Sequence, residues 1–240
     1  MAQITVWILV AIALGFVVSV ARWQTYVQSM PAGLEFEPAH PEDFSQLNQG
    51  QLDQYTEEIA SLGFSPIADF KVTAELGKLS PCFFRLFRHP EEGCHAVVSQ
   101  SFPEKGNSLS QKCWITSFLE QGWTLRTTNE SPYALAPLIH LSHYILNFRP
   151  NATPADLFQF HVSQRMPIAS ALNLEVLHSL STEDVLIKAK EQNWREKQII
   201  KRQNVALSFV KAVWFSLRPQ RDLLGDYPSA IAQRQKNSDQ

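Results

Sequence analysis

The chain has 240 residues, 45% of them hydrophobic, with 21 Lys and Arg against 23 Asp and Glu and a formal charge of −2. That is an ordinary globular balance, enough for one good-sized core with attachments. Three cysteines, an odd number without C-x-x-C spacing, exclude a disulfide framework and a zinc ribbon.

Residues 4–21 (ITVWILVAIALGFVVSVA) contain no charged side chain. As a helix they extend roughly 27 Å, close to the hydrocarbon thickness of a bilayer. Trp7 lies near one end and Trp23 and Tyr26 lie beyond the other, as expected of rings that sit half-wet at the two interfaces. Ser19-Val20-Ala21 has the small residues of a cleavage site, but no Lys or Arg precedes the run and the run is long for a signal peptide. The expectation is an uncleaved single-pass anchor over residues 1–23. Arg22 directly follows the span, which points the C-terminal body to the cytoplasmic side.

A juxtamembrane spacer is expected over 24–47, because MPAGLEFEPAHPEDF carries three prolines. Leu52, Tyr55, Ile59 and Leu62 recur at helical spacing, with Gly63 where a left-handed cap belongs. From Glu35 to Glu58 there are seven acids and no Lys or Arg, so the segment after the anchor is acidic.

Antiparallel strands are expected around Ile67–Ala74, Cys82–Arg88, Cys94–Phe102, Cys113–Leu119 and Trp123–Thr128, segments rich in Phe, Trp, Val, Ile and Thr. Residues 138–148 fit a helix or a strand; flanking Pro137 and Pro150 favour a strand over the second half. Thr153-Pro154-Ala155-Asp156 starts a helix to about Met166, a further helical region is expected over Ala169–Leu177, and Ser181-Thr182-Glu183-Asp184 starts one that runs to about Leu217. The last 22 residues, 219–240, read as a polar tail.

The expected architecture is therefore α+β. An N-terminal transmembrane helix precedes an antiparallel meander of about five or six strands packed with helices over 48–180, and a long C-terminal helix covers 181–218. That last helix is basic: between Val185 and Arg221 nine Lys and Arg face only Glu191 and Glu196. Its end, NVALSFVKAVWFSL, is almost wholly apolar yet too short to span a bilayer. Lys201, Arg202, Lys211, Trp214 and Phe215 are accordingly candidates for contact with an anionic membrane surface. Nucleic acid is not expected as a partner, since no helix-turn-helix or aromatic RNA platform accompanies the charge.

The stretch CFFRLFRHPEEGCHAVVSQSF (82–102) groups His89, Cys94 and His95 around a turn. Alternation turns His95 away from Cys94, so at most two ligands converge and a hairpin explains the pattern better than zinc or a catalytic thiol. His140 and His143 lack a third ligand, and His161 reads as a core-edge residue. No nucleophile elbow, Walker loop or dinucleotide fingerprint occurs, so neither a cofactor nor a catalytic residue is assigned. Arg85, Arg88 and Arg126 are candidates for a ligand or partner face, with Arg85 and Arg126 on one sheet face beside aromatic side chains. The leading expectation is a membrane-anchored, non-catalytic interaction or assembly factor with an unidentified protein partner. The alternatives are a ligand-binding or enzymatic domain using the arginine-bearing face, or lipid binding by the C-terminal helix.

Overall fold

The computed structural model describes residues 2–30, 33–76, 80–103, 109–139 and 141–238; side chains at 2–6, 8–10, 12, 75, 76, 237 and 238 are also outside the description. Helix α1 (Ala2–Ser29) contains the uncharged segment and continues beyond the expected boundary at 23. Among the described residues no helix is long and apolar enough to cross a membrane.

The body is a mixed α+β fold around one eight-stranded sheet in which every strand lies beside its sequence neighbour. The strands are β1 (Gly33–Pro38), β2 (Ser65–Leu76), β3 (Cys82–His89), β4 (Cys94–Ser101), β5 (Lys112–Phe118), β6 (Thr124–Thr128), β7 (Tyr144–Phe148) and β8 (Asp222–Leu223). All pairings are antiparallel except β6 with β7, where the connection returns the chain to the same end of the sheet. The expected strands from β2 to β6 are in place, and the strand favoured over the second half of 138–148 is β7, though it pairs parallel to β6; β1 and β8 lie beyond the five or six strands expected. The expected spacer hides β1, whose Phe36 packs edge-on against Phe70 and Phe84. As an edge strand, β1 tolerates the prolines that argued against it.

Helices cover both faces. On one face lie α2 (Gln49–Ser61), α3 (Pro154–Leu172) and α6 (Tyr227–Ser238). Asn48 caps α2, and the left-handed Gly63 (φ 96°) closes it, with the Phe64 N–H donating to the Ile59 carbonyl. Thr153 and Asp156 form the capping box of α3. This helix passes through Pro167 to Leu172 and so absorbs part of the expected Ala169–Leu177 helix. An interior proline costs about 3 kcal/mol, but Ile168, Ala169 and Leu172 beyond it are buried against Leu119, Trp123, Leu125 and Ile145, which offsets the loss.

On the opposite face lie α4 (Thr182–Lys201) and α5 (Val205–Leu217). The single long helix expected over 181–218 is broken at 202–204. There Gln203 Nε2 donates to the Leu138 carbonyl at 2.6 Å, and Asn204 caps α5 by accepting from the Leu207 N–H at 3.1 Å. The expected polar tail is folded as well. Strand β8 pairs with β7, Asp222 meets Arg149 at 2.8 Å, and Asp226 accepts from Ser142 Oγ and the His143 N–H, both at 2.7 Å.

Replacing Phe83, which is 0% exposed, with Ala is expected to cost about 3–5 kcal/mol in denaturant unfolding. Two left-handed glycines separate space from backbone. A Cβ on Gly122 meets nothing within 4 Å, whereas one on Gly225 falls 2.5 Å from the Tyr144 carbonyl oxygen. Gly122→Ala should therefore cost about 1–2 kcal/mol, and Gly225→Ala should cost more and expose the β7 edge to amide exchange.

Candidate functional site

The residues singled out from sequence do not converge. Arg85 lies on the α2 side of the sheet, where its guanidinium donates to both carboxylate oxygens of its cross-strand partner Asp69, at 2.8 and 2.7 Å, and to Thr56 Oγ1 at 3.1 Å. Arg88 and Arg126 lie on the other side. Arg88 is occupied by the His178 carbonyl at 2.8 Å. The expectation that Arg85 and Arg126 share one face is corrected by the register: with one residue per step, odd positions of β3 and even positions of β6 project to opposite sides.

His89 and Cys94 are register partners, and His95 pairs with Arg88 on the opposite face, as alternation requires. His89 stacks on Phe158 at 5.3 Å rather than facing a ligand. Among the described residues no group of three or more His, Cys, Asp and Glu is placed to hold a metal ion. His140 lies outside the described residues; His143 stacks on Trp123 at 4.7 Å. Burial pushes the Cys94 thiol up to about 12 and raises those of Cys113 and Cys82, so all three cysteines are protonated at neutral pH.

His161 is not at the core edge but fully buried. Its ring nitrogens lie 2.9 Å from Ser117 Oγ and 3.0 Å from Thr127 Oγ1, so a neutral imidazole satisfies both hydroxyls. Ser117 and His161 are each 0% exposed, which seals this pair from any substrate. Beside it Arg165, buried on α3, forms an ion pair with the half-buried Glu92 and so ties α3 to the turn between β3 and β4.

One of several hollows among the described residues is a groove of about 300 Å³ between α4 and the sheet, its lining running from Leu34 and Phe36 on β1 to Tyr144 and Leu146 on β7. A second hollow of about 260 Å³ shares Tyr133, Tyr144, Leu146 and Glu196 with it and continues to β8. Arg126 stands on the floor, its guanidinium carbon 5.5 Å from the Trp114 ring centre and 5.9 Å from that of Tyr144. The α4 wall is Ala189, Gln192, Asn193 and Glu196. Gln192 links the wall to the floor, accepting from Arg126 at 3.5 Å and donating to Glu196 at 2.8 Å. Burial raises the Glu196 carboxyl, against the opposing pull of Gln192 and Arg126, and pushes the Tyr144 hydroxyl up to about 12. The spacing 189, 192, 193, 196 is one helical face, a signal present in the sequence but masked by the basic residues around it.

At the C-terminal end, Lys201, Arg202 and Lys211 are exposed, as is Trp214 at 60%. Phe215 is corrected: it is 5% exposed and packs with Tyr144, Leu146 and Phe148, because the 3.6-residue repeat turns it away from its neighbour. Lys197 of α4 is buried and donates to the Met30 carbonyl at the end of α1. Compared with family models, curated proteins and solved structures, the chain matches none.

Burial, reinforced by Arg88 and Arg165 respectively, lowers His95 to about 4 and His161 to about 3. Both are neutral when folded at pH 7, while the unfolded chain takes up their protons near pH 6.5. Stability should therefore fall as pH drops below about 6.5, by up to about 1.4 kcal/mol per pH unit for each histidine, until the folded rings protonate. Urea titrations at pH 7.5 and 5 check this; His161→Gln should lower stability at pH 7.5 yet flatten its dependence on pH.

Proposed function

We propose that the chain is a membrane-anchored binding protein: α1 enters the bilayer, α5 lies in its interface, and the α+β body acts without catalysis on the cytoplasmic surface. The observation that carries this reading is an apolar clasp between α1 and α5. Phe209 of α5 stacks edge-on against Phe16 and Trp23 of α1, with ring centres 5.9 and 6.2 Å away, and Trp23 Nε1 donates to Ser208 Oγ at 2.9 Å. Phe16 belongs to the uncharged 4–21 segment, so α5 reaches into the region that sequence assigns to the bilayer.

The clasp leaves an apolar band in the open. Leu14, Val17 and Val18 of α1 and Leu207, Val210, Val213, Trp214 and Leu217 of α5 are all at least 44% exposed. Large contiguous apolar surface of this kind is unusual on a protein face bathed in water, and a bilayer of matching chemistry covers it. Lys201, Arg202, Lys211 and Arg218 flank the band and suit anionic headgroups. The three thiols are protonated and Ser117 is sealed beside His161, so these groups favour binding over catalysis. The acidic 35–58 segment and the basic outer face of α4 remain for protein partners at that surface.

Full-length protein should resist alkaline carbonate extraction and float with liposomes. In bilayers carrying brominated acyl chains, tryptophan emission should be quenched, and the quenched fraction should drop in Trp214→Phe. Release into the carbonate supernatant sinks the anchor; quenching unchanged by Trp214→Phe sinks the placement of α5.

A further inference from the structure

The groove beneath α4 contains two polar atoms that are buried without a partner, Arg126 Nε and Asn193 Oδ1. Buried polar atoms are nearly always paired, so two orphans lining one hollow mark a place where something else belongs. Arg126 is the sharper case. No carboxylate among the described residues forms an ion pair with it, although Glu130 and Glu196 line the same groove and Glu196 feels its charge; the guanidinium itself meets the Trp114 and Tyr144 rings and the neutral amide of Gln192. A guanidinium held between aromatic rings, with an unpartnered N–H and no carboxylate bonded to it, can receive one planar anion.

The remainder of the groove defines the rest of the ligand. From Arg126 toward β1 the floor is Trp114, Phe84, Val72 and Phe36. Those side chains come from strands β5 to β1, so this arm crosses four strand spacings, roughly 19 Å. It is a long row of apolar side chains with Ser99, Ser101 and Thr128 beside it, and a row of that length suits an extended hydrocarbon rather than a compact ring system. Its far end at Leu34 lies four residues after Met30, where α1 joins the body through Lys197.

We propose that this groove binds a single-chain carboxylate, a fatty-acid anion, with its head on Arg126 and its chain laid over Trp114, Phe84 and Phe36 toward the α1 junction. The assignment of an anionic head and an unbranched apolar body stands on the groove alone and does not need the membrane reading. The volume of about 300 Å³, with a further 260 Å³ adjoining, is within the range of small-molecule sites.

The test uses the full chain in nanodiscs, with empty nanodiscs as the measure of partition into lipid. 11-(Dansylamino)undecanoic acid is the probe, displaced by dodecanoate or by dodecan-1-ol, which has the same chain without the charge. Saturable binding above the empty-disc signal is expected, with dodecanoate displacing at least tenfold better than the alcohol. Arg126→Met, which keeps the stacked methylenes and removes the cation, should weaken dodecanoate at least tenfold. Ala189→Phe fills the trough from α4 without touching the cation and should abolish probe binding; it keeps the test decisive if Arg126→Met fails to fold. Equal displacement by acid and alcohol, full-strength dodecanoate binding in folded Arg126→Met or Ala189→Phe, or a signal no larger than that of empty discs would each overturn the proposal.

Discussion

The structure depends on the burial of β4 from both sides. Seven of the eight residues of this strand are buried, whichever way they point. One face carries Cys94, Ala96 and Val98 into the core under α2 and α3; the other carries His95, Val97 and Ser99 toward α4. A strand placed so deeply demands helices on both faces, and the chain supplies them in order, first α2 and α3, then α4 and α5. The two covers are not equivalent. The first side is packed with Phe83, Phe87, Ile115, Leu52, Ile59 and Leu157, whereas α4 must cross a floor that includes Arg126, Ser99 and Thr128. It cannot close on such a surface as a hydrocarbon layer does, and the groove is the result.

The same asymmetry explains what was legible in the sequence. Elements with a local signature are where the sequence places them: the Thr153 cap, the Gly63 stop, and the β3–β4 pair around the turn between His89 and Cys94. Elements that exist because of a distant partner were invisible. β1 is held by β2, β8 by β7, and α6 by Trp123 and its neighbours; none carries a signal strong enough to stand alone. The break between α4 and α5 shows the converse. Its local signal, Asn204 ahead of an apolar run, was present, but the basic and apolar stretches read as one helix without the Leu138 carbonyl that fixes Gln203. For the site, Arg126 was legible as an arginine among aromatic residues, but its separation from Arg85 is a matter of register across intervening strands. Gln192, Asn193 and Glu196 were hidden because a stripe of polar residues on a charged helix looks solvated until a sheet is placed beneath it.

Where α1 meets the body, polar and apolar forces are divided between two helices. Lys197 gives α4 a charged contact at the α1 terminus, the end where unpaired carbonyls accumulate negative partial charge. Burial, with Lys201 close by, lowers its ammonium, consistent with a cation drawn out of water to make that contact. Met30, Trp23 and Val27 then pack with Leu135, Leu138, Ile200 and Ala212, so the junction is also a small core of its own. The first helix is thus joined to the body by a packed, hydrogen-bonded interface rather than by a loose tether.

That junction also sets an order of events. The hairpins from β2 to β6 close between neighbours in sequence, and such contacts form early because little loop entropy opposes them. Trp23 and Ser208 are 185 residues apart, so their bond cannot form until α5 has been made. At about 5–20 residues per second of synthesis, α1 spends roughly 10–40 s outside the ribosome before α5 arrives to meet it. The newborn protein therefore passes through a stage in which the strands up to β7 trail an unclaimed apolar helix, until α5 arrives and locks the two together.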